Sequence, residues 1–217
     1  DTRYINKDIK PRRGSKSLSE IRSKDIVKIH SSLADTPIKA NRLLALLSKI
    51  FNLSEEWEYR DSNTNPTQHI RKYKETPRER FLTQDEIIVL EKVLADAEQK
   101  NEVSPSVIHA LRVLLMTGAR LQEVLTMKWE YVDFEEGKIN LPDSKSGKKT
   151  IWLSDKARDY IDGIPHKRGN PFVFPGQRTG SRLVNLQKPW RKLRAIAEIE
   201  DVRIHDLRHT YASLAVS

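Results

Sequence analysis

The chain has 217 residues, 32% charged and 37% apolar, with 39 Lys and Arg against 30 Asp and Glu, giving a net charge of +9 and a pI near 9.6. That length allows one large domain or two small ones with a real core, and the surplus of cations argues for a polyanionic partner, DNA or RNA. The lack of cysteine excludes disulfides, thiolate metal sites and a thiol nucleophile, and no apolar run nears the ~20 residues of a membrane span.

In chain order, residues 1–16 predict a loose arm. Lys10-Pro11-Arg12-Arg13-Gly14-Ser15-Lys16 would either track phosphates or simply be solvated. No signal-peptide core follows Asp1, which reads as a processing boundary, and no membrane contact is expected. Ser23 is placed to cap a helix that buries Ile26, Ile29 and Leu33. Asp35-Thr36-Pro37 opens the clearest helix, with proline in its first turn and Ala40, Leu43, Leu44, Leu47, Ile50 and Phe51 as its stripe. Lys39, Arg42 and Lys49 lie off that stripe, on a face that is either solvated or meets phosphates. From Asp61 to Arg80 the chain is turn-rich, then charged. This predicts a helical first domain over 1–75, a linker over 76–82 and a second domain over 83–217. Arg71, Lys72 and Lys74 would suit a strap along DNA, or a plain connector.

Thr83 and Glu86 form a capping-box pattern ahead of a helix expected to bury Ile87, either Leu90 or Ile88, and Leu94. Ser104-Pro105 starts another, carrying Val107, Ile108, Leu111, Leu114 and Leu115 and ending at Thr117-Gly118. Leu121, Val124 and Leu125 begin a third. The period then falls to two, predicting a three-stranded antiparallel sheet from Tyr131–Phe134, Lys138–Leu141 and Thr150–Leu153. Ser154 caps a helix through Tyr160 and Ile161, and Phe172-Val173-Phe174 is a short buried run. Leu186, Trp190, Leu193 and Ile196 mark the next helix. The expected fold class is mainly α with a small antiparallel sheet.

Three basic sites carry the chemistry. Arg120 follows the Gly118 break, with Glu123 one turn on to hold it. Lys145 stands at a hairpin tip, beside Lys148 and Lys149. In the final helix, His205, Arg208 and His209 fall on one side, and Leu207, Tyr211 and Leu214 roughly opposite. An imidazole and a guanidinium aimed at one point can hold an anionic oxygen and exchange a proton with it. Each site alone also reads as an ordinary polar surface. No Asp/Glu/His cluster has metal-ligand spacing, so no metal is expected.

Together these motifs resemble the tyrosine recombinase family, of the phage-integrase type. T-G-x-R-x-x-E, S-K-x-G and H-x-L-R-H-T occur in the family's order, and Ala40-Asn41-Arg42 with Asn65-Pro66 look like its helical core-binding domain and the exit from it. The resemblance implies a DNA breaking–rejoining fold and a site-specific recombinase of a mobile element. It would bind duplex DNA, self-associate on it and use no cofactor. Arg120 and Arg208 would clamp the scissile phosphate, His205 would move a proton and Lys145 would protonate the leaving 5′ oxygen. Glu123 and His209 would support them. The family's nucleophilic tyrosine lies further on than Arg208, and no tyrosine here fits it. The chain is therefore expected to be a fragment of an integrase of the phage type, cut at its C-terminus and also at its N-terminus; an arm-binding domain, where present, would precede Asp1. A non-catalytic DNA-binding regulator on the same fold, or an RNA-binding protein, are the alternatives.

Overall fold

The computed structural model describes residues 2–144 and 147–214, which divide into two units, Asp1–Arg78 and Glu79–Ser217.

The first unit begins helically. Short helices α1 (Thr2–Tyr4) and α2 (Lys10–Arg13) flank a wide π turn at Ile5–Ile9. The loose arm expected here is instead pinned by a buried carboxylate: Lys39 Nζ lies 2.7 Å from Asp8 Oδ1, with Arg12 3.7 Å away. Helix α3 (Ser23–Ser31) is capped one residue earlier than expected, at Arg22, whose N–H donates to Asp25 Oδ2 at 3.2 Å. Helix α4 (Pro37–Glu56) opens at its proline. Ile26, Ile29 and Leu33 pack with Ala40, Leu43, Leu44, Leu47 and Phe51 into one core; Ile50 is only half-buried.

The stretch after α4 is more closely packed than its composition suggests. Asn65 is buried; its Oδ1 accepts from Thr67 N–H at 2.9 Å, and its Nδ2 donates to Asn52 Oδ1 at 2.6 Å. The Tyr73 ring stacks on buried His30. Residues 65–75 therefore belong to the packing of the first unit.

In the second unit, Thr83 Oγ1 accepts the Glu86 N–H and Glu86 Oε2 accepts the Thr83 N–H, closing the box that starts α5 (Gln84–Gln99). Leu90, Leu94 and Ala97 are buried there, while Ile88 is exposed, so of the two alternatives Leu90 faces the core. Helix α6 (Pro105–Thr117) buries residues around most of its circumference and ends at Gly118, whose φ of +58° is left-handed. Helix α7 (Leu121–Leu125) follows. Strands β1 (Val132–Asp133), β2 (Lys138–Ser144) and β3 (Gly147–Trp152) form an antiparallel sheet in that order, with Ile139 opposite both Val132 and Ile151. β1 is shorter than the predicted strand because Trp129–Tyr131 coil into a 3₁₀ turn.

Ser154 Oγ caps α8 (Asp155–Asp162), accepting from Ala157 N–H at 3.3 Å. Val173 and Phe174 are buried as expected. Helix α9 (Gln187–Ile196) buries Trp190, whose indole N–H donates to the Val202 carbonyl at 3.1 Å; Ile196 is exposed. Helix α10 (Ile204–Leu214) packs on α6 through Ile204, Leu207 and Thr210. Leu214 is exposed, so the apolar side of α10 is rotated from the one expected. Thr210 Oγ1 accepts the Leu82 N–H at 2.9 Å and donates to the Asp206 carbonyl at 2.9 Å.

Candidate functional site

The site is built on the break between α6 and α7. A chain leaving a helix at left-handed φ turns sharply, and glycine does so without steric cost. Gly118 has a second reason to be glycine: a Cβ there would overlap the Tyr211 ring. The Gly118 carbonyl accepts a hydrogen bond from Arg208 Nη1. One residue thus seats two side chains of α10.

Two positions on, Arg120 caps α7. Its N–H donates to Glu123 Oε2 at 2.8 Å and its Nη1 to Glu123 Oε1 at 2.9 Å. Lys149 Nζ, from β3, reaches Glu123 Oε2 at 2.8 Å. Glu123 is 5% exposed. Burial alone would raise its pKa, but Lys149 together with the Arg120 backbone and guanidinium outweighs that and holds the carboxyl below its ordinary value. Arg120 is thereby oriented, with its own side chain still 38% exposed.

His205 and His209 are exposed and meet edge to face, with centroids 5.1 Å apart. Arg208 is half-buried. The expected separation of Tyr211 from Arg208 does not hold. Residues three apart are only about 60° apart around a helix, and both side chains lie at Gly118. Lys145 lies outside the described residues. In the first unit Arg42, Lys49, Arg71, Lys72 and Lys74 are exposed, whereas Lys39 is engaged by Asp8. Among the described residues no group of three His, Asp or Glu could hold a metal ion.

Lys149 escaped the sequence reading as an individual, being seen only as a neighbour of Lys145. Its partner lies 26 positions away, and only the hairpin register, Leu141 opposite Lys149, brings it back toward α7. Asp206 was likewise passed over, although its Oδ2 accepts the Arg203 N–H at 2.8 Å and so caps α10. A carboxylate three residues into a helix was the available signal.

The phage integrase family model matches residues 80–215, and the chain belongs to that family. It is 34% identical over 179 residues to a shufflon-specific DNA recombinase of Escherichia coli, covering 80% of this chain and 43% of the relative. It is 26% identical over 110 residues to the prophage integrase IntF of Escherichia coli K12, covering 48% and 24%. The chain spans less than half the length of the curated relatives it matches. Its fold is that of lambda integrase(75–356), solved as a dimer bound to a COC′ core site: TM-score 0.75, 21% identity, 98% of this chain and 81% of that one. The Tn1549 transposon integrase in complex with circular intermediate DNA shares it, with TM-score 0.75, 16% identity and coverage of 99% and 79%.

Proposed function

We propose that this chain is the DNA-engaging part of a site-specific tyrosine recombinase. Its parent would break and rejoin duplex strands through a 3′-phosphotyrosyl intermediate, with no metal or nucleotide cofactor. The observation that carries the reading is the Gly118 break, where Arg208 is seated on the carbonyl and Arg120 is held by Glu123 two residues on. Two guanidinium forks so placed suit the oxygens of one phosphate and neutralise charge that develops in the transition state. His205 moves a proton at the phosphate, and Lys145 protonates the leaving 5′ oxygen. Glu123 positions Arg120, and His209 supports His205 edge to face.

In the first unit, Arg42, Lys49, Arg71, Lys72 and Lys74 contact the phosphate backbone; Lys39 is assigned to Asp8 instead. The parent self-associates on DNA, as lambda integrase does in its DNA-bound dimer and its Holliday-junction tetramer, and works in the cytoplasm.

The test has two stages. The 217-residue chain is titrated with mixed-sequence duplex DNA at rising salt; steep weakening is expected, and affinity that stays flat overturns DNA engagement. The complete gene product is then incubated with nicked duplexes tiled across the DNA flanking its gene. A protein–DNA species that survives denaturation is expected, and Arg120→Ala or Arg208→Ala should each slow its formation by ~10²–10³. Duplex binding with no adduct on any nicked substrate would make the protein a DNA-binding regulator.

A further inference from the structure

Asn41, on the second turn of α4, is 4% exposed among apolar neighbours. A buried carboxamide needs partners for two donors and an acceptor. Here all of them lie on Tyr73 and Glu75, in a segment without helix or strand. Nδ2 donates to the Tyr73 carbonyl at 2.8 Å and to Glu75 Oε1 at 2.7 Å, while Oδ1 accepts the Tyr73 N–H at 2.9 Å. The side chain takes both backbone polar groups of Tyr73, as a neighbouring β-strand would. On the same residue, the Tyr73 ring lies flat on His30, with centroids 4.4 Å apart and planes 7° apart. Arg71, Lys72 and Lys74 flank this anchor, and all three are exposed. Among the described residues none of the three is paired with a carboxylate.

We infer that Asn41 and the His30–Tyr73 stack form a socket that presets the strap Arg71–Lys74 as an ordered cationic contact for the phosphate backbone of duplex DNA. The inference rests on the DNA-binding reading above and adds to it the residues that position the strap. Lys72 and Lys74 bracket Tyr73, so the residue held at both of its backbone polar groups lies between the two cations. Because the backbone between them is fixed before encounter, it loses no conformational freedom on binding. Asn41 is a positioning residue here: it touches the strap, not the DNA.

The experiment pairs two readouts on the full chain. Limited trypsin digestion, followed by mass spectrometry, reports release of the strap; titration of a mixed-sequence duplex against salt reports its use. In Asn41→Leu, fragments beginning at Tyr73 and Glu75 should appear about tenfold faster, the scale of losing one or two net hydrogen bonds. Duplex affinity should fall about three- to tenfold with an unchanged salt slope, since every charge remains. The triple variant Arg71→Ala/Lys72→Ala/Lys74→Ala should instead flatten the slope by about 1 per lost phosphate contact. Tyr73→Ala, which keeps every side chain of α4 and removes only a half-buried ring at the margin of its core, should reproduce both effects of Asn41→Leu and serves where that variant does not fold. A folded variant cut like wild type overturns the socket. Faster cutting with full duplex affinity, or a triple variant that keeps both affinity and slope, overturns its role in binding. If the wild-type chain binds no duplex at all, the DNA reading fails and the strap's role with it, while accelerated cutting still registers the socket.

Discussion

Glu123 shows how one buried carboxylate sets the geometry of its neighbours. Hydrogen bonds to charged partners are the stronger kind, and this carboxylate has two cations and a helix N-terminal N–H. Its pKa in the folded chain is depressed, so its contribution is present above the ordinary carboxylate range and is lost as pH falls through the folded value. Lys149→Met removes one cation and leaves a buried charge underpaired. Urea unfolding should show a loss of about 1–3 kcal/mol at neutral pH, and the loss should shrink in acid once Glu123 is protonated. A loss of equal size at both pH values would mean that Lys149 acts by packing rather than by charge. The T-G-x-R-x-x-E pattern made Arg120 and Glu123 legible because they are one turn apart. Lys149 was not legible, because what joins it to Glu123 is the folding back of a strand.

At the scale of elements, the decisive contact is α10 seated on the end of α6. Gly118→Ala would force a side chain into left-handed φ and into the Tyr211 ring at once. Denaturant unfolding should show a loss of about 2–4 kcal/mol, the sum of a backbone and an overpacking cost. Adding Tyr211→Ala should return the overpacking part, so the double variant should be less destabilised than the two single effects added together. Strict additivity would place Tyr211 elsewhere. The helix starts at Pro37, Thr83, Pro105 and Ser154 were readable because caps are decided within four residues. The N-terminal arm was not, since the Lys39–Asp8 pair that orders it spans 31 positions. The rotated face of α10 was hidden for a related reason. Thr210, a polar residue, takes an inward position because a distant N–H supplies its partner.

For the whole molecule, the division falls at Arg78–Glu79, and residues 65–75 are tied to the first unit. Limited proteolysis of the free chain should therefore open between 74 and 81, not throughout the turn-rich stretch from Asp61 that composition alone marked out. The expected products are a first unit that retains Tyr73 and a resistant fragment beginning near Glu79 or Phe81. First cuts between 61 and 70 would show that the Asn65 and Tyr73 contacts do not hold in solution. The charge pattern adds an expectation at the same scale. With exposed cations in the first unit and Arg120 and Arg208 in the second, each separated fragment should bind duplex DNA more weakly than the intact chain, and with a shallower salt slope. A fragment that matches the intact chain in both would confine binding to one unit.

The clasp between Leu82 and Thr210 joins residues 128 positions apart. On a ribosome, with ~5–20 residues added per second, the Leu82 N–H waits on the order of ten seconds for its partner. Throughout that interval the nascent second unit lacks the helix that closes its core, and the same helix carries Arg208 and His205. Seating of α10 and delivery of Arg208 to the Gly118 carbonyl are therefore a single event.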